Sequence, residues 1–494
     1  MQTENNYYKI LFFALLAILS AQRIFHLFGV IEEPMAWRQF DTEFFAYDFY
    51  KNGIDLFKPS VSWMGAYKTT ILEFPLISAL ISLFYLIFEP SVFIARTVIF
   101  VFFLGSAFYL YKLFEKLYYR SLASFILFVY LLSPLSVYYS RALNIDFPVM
   151  FFAFAALYYF ILAADTEKYS FVIIGVILST AGFLIKAPYM FIIYFPLAYY
   201  IISKKKFSFA MRILPIMAIP VAAFIFWNIH TVNSNNNSPD WYFIPGYFKF
   251  TDMSSWYFGS LEQRFEVNNW ERLLTRFGAS GITFIGFPLF LTGLFVKLKD
   301  GYNRKFMFWY SAGTAVYLLI FFSLNVIHDY YQIPLLVITA MYTAAGIDFI
   351  YRRINLKNDL YNRIVLTFIL IALGVNGVWF TERWYYKPDK IRNTAAELIK
   401  KNTGTDDLII ASIDLTDPRD PRILAPAHRY GWAIRISDLN RDLIERLQME
   451  GAAYLSVTGH LENDSLTKYL ETLEVKGKTE IGSNTASVLY KLKK

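Results

Sequence analysis

The strongest constraint on this chain is a series of long apolar runs. Eleven of them, each 15 to 22 residues, recur over the first 380 positions: 8–28, 92–111, 122–139, 147–164, 171–185, 187–203, 209–229, 280–296, 306–327, 330–350 and 364–380. A helix needs about 20 mostly apolar residues to cross a bilayer, fewer where the bilayer thins. Inside lipid every backbone N–H and C=O must be paired within the protein, which leaves helices and closed barrels. These runs are continuous rather than alternating, so they predict helices. Composition agrees: 56% of residues are hydrophobic and only 17% charged, where a soluble domain carries about 25% charged. The expected fold is a polytopic α-helical membrane protein with about 11 spans. The stretch "ILFFALLAILSAQ", 10–22, has no small-x-small cleavage site before Arg23 and reads as part of the first span.

Basic residues orient such a chain, because they collect in cytoplasmic loops. With the N-terminus inside, the inner loops carry 15 Lys and Arg, and the short outer loops only Arg141 and Lys186. A twelfth run, 71–88, holds Glu73 and Pro75; counting it as a span would move every later loop to the wrong side. It therefore reads as a re-entrant or juxtamembrane hairpin, allowed where protein buries irregular backbone. This distribution also accounts for the net charge of +8 without a nucleic-acid partner. Cysteine is absent, which excludes disulfides, thiol nucleophiles and thiolate metal sites.

The resulting layout is a transmembrane domain over 1–380, outer loops at 29–91 and 230–279, and a soluble extracytoplasmic tail over 381–494. In the tail, "DDLIIASID", "AYLSVTG" and "ASVLYKLKK" read as strands, and "RDLIERLQ" and "SLTKYLETL" as amphipathic helices. That pattern predicts a small α/β domain. No phosphate-cradling glycine loop or metal-ligand spacing occurs in it. The segment "NSNNNSPD", 233–240, reads as a mobile loop tip.

Nine ionisable residues fall near the outer ends of apolar segments: Asp41, Glu43, Asp48, Glu73, Arg96, Arg141, Asp146, Lys186 and His328. A single charge at a helix end ordinarily meets water or headgroups. A gathering on one side is different, since ionisable groups at membrane depth are costly and mark sites. Asp146 precedes Pro148 and also has an ordinary reading as a helix cap. Tyr330 and Tyr331, beside His328, fit an interfacial aromatic belt as well as a sugar or phosphate contact.

Four stretches, "WRQFDTEFFAYDFYKNG", "LEFPLISAL", "SRALNIDFP" and "HDYYQIPL", resemble the GT-C glycosyltransferases. Within them the likeness is to the group of aminoarabinose lipid A transferase and the protein O-mannosyltransferases, over roughly residues 1–350. The resemblance implies a catalytic carboxylate in the first outer loop, here Asp41, with Asp-Thr replacing the usual Asp-Glu pair and Glu43 two residues on. It implies an Asp in the second outer turn, Asp146, that is catalytic and joins Asp41 at a metal site. It also implies a phosphate-binding lysine, Lys68, although the Pro-Pro that usually follows is missing and Glu73 stands in an "EFP" variant. Arg38, Gln39, Glu43, Glu73, Arg141, His328, Tyr330 and Tyr331 are the further substrate-binding candidates.

The chemistry implied by this resemblance uses a sugar donor on a polyprenyl phosphate and a lipid, glycan or protein acceptor. The sugar would move at the outer face of the inner membrane. Charge grows on the leaving lipid phosphate, so cations or a divalent metal (Mg, Mn or Zn) would stabilise it, and no nucleotide cofactor is needed. The acceptor hydroxyl needs a general base, assigned to Asp41; one displacement would invert the anomeric carbon. An O-antigen ligase or polymerase with a lipid-diphosphate donor stays open as an alternative. A transporter also stays open, although no inverted repeat supports it. The oligomeric state is left open.

Overall fold

The structure is a computed structural model that describes residues 14, 17, 18, 20–251, 253–296, 301–357, 360–461, 463–481 and 485–493. Part of the first expected span, 8–28, lies outside the described residues. The chain divides into two compact units, one made of 1–29, 96–227 and 253–386, the other of 30–95, 228–252 and 387–494.

The first unit is helical. Among the described residues of the chain, six helices are long and apolar enough to cross a membrane: Val92–Leu117, Asp146–Thr166, Tyr169–Ile192, Phe207–Asn236, Leu335–Arg352 and Ile364–Trp384. Other expected runs are interrupted, mostly at proline. Run 122–139 divides into Arg120–Leu132 and Pro134–Tyr139. Ser133 between them is extended (φ −54°, ψ 132°), as the residue before a proline must be. Runs 171–185 and 187–203 meet at a break in the helix Tyr169–Ile192, where Lys186 is non-helical (φ −158°, ψ 79°) and Pro188 follows; proline removes a helical N–H and clashes with the preceding turn. Run 280–296 contributes only Phe287–Phe295, and run 306–327 becomes Gly301–Ile320 followed by Phe322–Ile327. The helix Phe287–Phe295 crosses Leu335–Lys357 so closely that a Cβ on Gly293 or Gly346 would strike the other helix's backbone. Small residues permit this approach where apolar burial gives helices little reason to associate.

The second unit contains the α/β fold expected of the tail. Five strands, β1 (Leu408–Ile413), β2 (Tyr430–Arg435), β3 (Ala452–Thr458), β4 (Glu474–Ile481) and β5 (Thr485–Lys491), form one sheet in the order β2-β1-β3-β5-β4. Strands β2, β1 and β3 are parallel, while β5 and β4 are antiparallel additions. Helices Lys390–Asn402, Arg441–Met449 and Asp464–Leu470 accompany the sheet. The periodicity of β2, β4 and Lys390–Asn402 had not marked them as elements.

Loop residues 30–95 are built into this unit. Val61, Trp63 and Met64 share its core with Trp241, Trp432 and Ile410. The exposed edge of β2 is covered: Gly431 donates to Ser62 O, and Gly65 donates to Gly431 O, both at 2.8 Å. Gly65 has φ +50°, and a Cβ there would enter the Trp432 indole. Closing an edge strand in this way removes a template for pairing with other chains. Run 71–88 yields the helix Leu76–Phe88, whose 13 residues span about 20 Å at 1.5 Å each, short of a hydrocarbon core of about 30 Å. Of the expected mobile tip at 233–240, residues 233–236 instead end the helix Ile219–Asn236. Asn235 is buried and its side chain pairs with both backbone groups of Ile71, each at 2.9 Å, while Asn236, Asn237 and Asp240 are exposed.

Candidate active site

In the second unit the site is built on the helix Ala36–Asn52. Its interior has no Gly or Pro, and it stops at Gly53 (φ 93°), whose N–H returns to Phe49 O at 3.0 Å, a glycine C-terminal stop. Gln39, Asp41, Glu43 and Asp48 are all buried on it. Arg38 and Asp41, three residues apart, lie on one side of the helix. The Arg38 guanidinium pairs with Glu73 and remains 3.9 Å from Asp41 Oδ2, while Trp63 Nε1 donates to Asp41 Oδ1 at 3.3 Å. Burial pushes the Asp41 carboxyl up to about 7; Arg38 and the Trp63 N–H pull it down, and the charges of Glu73 and Asp420 push it further up. Desolvation therefore outweighs a cation that is shared with a second carboxylate.

Tail residues meet the same helix. His428 Nε2 lies 3.3 Å from Glu43 Oε1, and its ring stacks on Tyr47 with centroids 3.7 Å apart. Tyr430 donates to Asp48, which also accepts from Asn52 Nδ2 at 2.6 Å. Burial, with the charge of Asp48 next, pushes the Tyr430 hydroxyl well above its usual range. Lys68 Nζ sits 4.2 Å above the Tyr430 ring, a cation–π distance. Gln39 is wholly buried and donates to Glu32 O at 3.1 Å, a backbone tie. Of the candidates, Arg38, Asp41 and Glu73 come together here, and Glu43 and Lys68 each meet a tail residue. Trp63, His428 and Tyr430 had no sequence signal, because nothing in an indole, a lone histidine or a strand tyrosine announces a partner far along the chain.

The first unit holds the other candidates. Asp146 begins its helix but makes no cap. Its Oδ1 pairs with Lys186 Nζ at 2.6 Å and accepts from the Tyr189 hydroxyl. Lys186 Nζ also lies 3.9, 4.6 and 5.0 Å from the ring centroids of Tyr331, Tyr189 and Tyr330. His328 stacks on Tyr330 with centroids 5.0 Å apart. Next to it, the buried Asp329 accepts from Tyr139 and Tyr385 at 2.6 and 2.7 Å. Arg141 is buried beside the rings of Tyr386 and Tyr138, 4.5 and 5.1 Å away. Lys186 and Asp329 were visible in the sequence as polar residues among apolar ones, but spacing alone did not join them to Asp146 or to the tyrosines.

The expected metal site does not fit these donors. Among the described residues, no group of three or more His, Asp or Glu could hold an ion. Asp41 faces a guanidinium and an indole N–H, and Asp146 an ammonium and a hydroxyl proton. Divalent ions require several lone-pair donors, whereas these neighbours present positive charge or hydrogen.

A helical membrane unit joined to an α/β unit is the architecture of the GT-C glycosyltransferases, and the chain is a multi-pass membrane protein of that fold. Residues 73–230 match the family model described as dolichyl-phosphate-mannose-protein mannosyltransferase. Among solved structures, ArnT from Cupriavidus metallidurans bound to undecaprenyl phosphate is similar at TM-score 0.62 and 11% identity, covering 98% of each chain. The archaeal oligosaccharyltransferase AglB from Archaeoglobus fulgidus, in complex with an inhibitory peptide and a dolichol-phosphate, matches at 0.56 and 12%, over 91% of this chain and 70% of that one. The Archaeoglobus fulgidus oligosaccharyltransferase complex with Zn and sulfate matches at 0.53 and 13%, over 90% and 67%. None of the curated proteins matches the chain by sequence.

Proposed function

We propose that the protein is a glycosyltransferase that moves a hexosyl or pentosyl group from a polyprenyl phosphate to a cell-envelope acceptor: a lipid, a glycan or a protein. The basic-residue asymmetry supports a cytoplasmic N-terminus, with loops 29–91 and 230–279 and the tail from 381 outside. The reaction would then run at the outer face of the inner membrane.

The observation that carries the reading is the buried Asp41 carboxyl, pushed up to about 7, on the first outer helix of a GT-C fold. A base works best with a pKa near the operating pH. In this reading Asp41 takes the proton of the acceptor hydroxyl as its oxygen bonds to the anomeric carbon. The bond from that carbon to the phosphate oxygen breaks, the phosphate leaves on its lipid, and the configuration inverts. Lys68 stabilises the charge that gathers on the leaving phosphate. Arg38, held by Glu73, keeps Asp41 in place.

The test is transfer from a polyprenyl-phosphate sugar by the full chain in lipid vesicles. Asp41→Asn keeps the shape and removes the base, so the rate should fall roughly 100-fold or more at unchanged protein abundance, and Glu43→Gln should cost much less. Near-normal transfer by Asp41→Asn would sink the assignment of the base.

A further inference from the structure

We infer that Lys186 is the resident cation of the Asp146 carboxylate, that it stands where a divalent metal would stand, and that Asp146 is a positioning residue for this ammonium rather than a metal ligand. Four observations meet at this point. The break at Lys186 in the helix Tyr169–Ile192 takes the lysine backbone out of the helical geometry. Its Nζ rests 2.6 Å from Asp146 Oδ1. Three tyrosine rings surround the same Nζ at 3.9 to 5.0 Å. The pair is withdrawn from solvent, with side-chain exposures of 9% for Lys186 and 0% for Asp146.

Each observation supplies something a buried ammonium requires. A charge out of water persists only with an opposite charge in good geometry and with further polar contacts. Aromatic faces add attraction for a cation once water is excluded. The Tyr189 hydroxyl gives its hydrogen to the same carboxylate and also lies 3.0 Å from Tyr330 O, which ties the carboxylate to the tyrosine-rich segment. A divalent ion on Oδ1 would sit against the ammonium and be repelled. Asp146 Oδ2 meets no described donor, but one oxygen is a single ligand, and Zn2+ or Mg2+ needs several. The lysine thus gives the positive charge that the family resemblance assigned to a metal, without ion uptake.

The experiment measures metal content and melting temperature of the full chain in lipid nanodiscs, for wild type and for variants at this pair. Wild type should carry no stoichiometric Mg, Mn or Zn, and neither EDTA nor added Mn2+ should move its melting temperature. Lys186→Ala should melt several degrees lower, Lys186→Arg should recover most of that loss, and Asp146→Asn with Lys186→Met, a neutral pair, should recover part of it. Stoichiometric metal in the wild type, or a wild-type melting temperature lowered by EDTA and restored by Mn2+, would overturn the inference, as would a Lys186→Ala protein as stable as wild type. If Lys186→Ala fails to fold, metal content and the EDTA response of the wild type still decide. None of these readouts involves sugar transfer, so the inference and the transferase reading can fail separately.

Discussion

Asp41 and Asp146 are both buried carboxylates, yet each unit treats its own in the opposite way. In the second unit the cation near Asp41 is shared: Arg38 is spent on Glu73 and stays 3.9 Å from Asp41. Burial then prevails, and the carboxyl is pushed up to about 7. In the first unit Lys186 lies directly on Asp146 at 2.6 Å, with Tyr189 donating to the same oxygen. The difference separates two uses of one residue type. A carboxylate whose cation is divided keeps an affinity for protons and suits proton transfer. A carboxylate in direct contact with an ammonium holds that ammonium in place. Both oxygens are buried, and what differs between them is where the nitrogen goes.

The largest expected effect tests the Asp146 side. Asp146→Asn leaves Lys186 buried without its counter-charge, so the protein should lose about 3–5 kcal/mol of stability, read as a large fall in melting temperature. Asp41→Asn should do the reverse. The Asp41 carboxyl is raised in the folded state, so its contribution to wild-type stability is fully present below about 4 and is lost as pH rises through about 7. The asparagine variant escapes that loss. Its melting temperature should match wild type near pH 4 and exceed it at pH 8, and two coincident curves would remove the raised carboxyl from the account.

A smaller effect sharpens the role of Arg38. Glu73→Gln frees the guanidinium for Asp41 and removes a neighbouring negative charge. The pH at which transfer reaches half its maximum should move down by about one unit, while a profile that stays in place would mean that Glu73 does not control the cation. The smallest effect concerns the tail. His428→Ala removes the contact to Glu43 and the stack on Tyr47, and should cost about 1 kcal/mol in a thermal melt. Wild-type stability in this variant would show that the tail's grip on the helix rests on Tyr430, which donates to Asp48.

The helical membrane class was legible because apolar runs are a local property, and the sheet strands β1, β3 and β5 were legible for the same reason. Strand β4 was missed because its sequence, "EVKGKTEI", is largely polar and only partly buried. The interruption of run 122–139 was written in Pro134, but a hydropathy reading passes over a single proline. The site was half legible. Asp41, Glu43 and Glu73 could be named because carboxylates stand out in an apolar chain. Their partners could not, since Glu43 and His428 are 385 positions apart and no spacing rule reaches that far.

The order of residues alone was enough to establish that this protein lies in a membrane and that its charges gather near the ends of its apolar segments, and it singled out Asp41 and Asp146 as candidate carboxylates. Those conclusions rest on the cost of placing polar groups in lipid, which each segment meets alone. The folded arrangement was needed to learn that residues 30–95 belong to the same unit as the tail, that Arg38 goes to Glu73, and that Lys186 goes to Asp146. These are choices among partners. They depend on which distant groups are brought within a few ångströms, where burial makes charge interactions strong enough to matter.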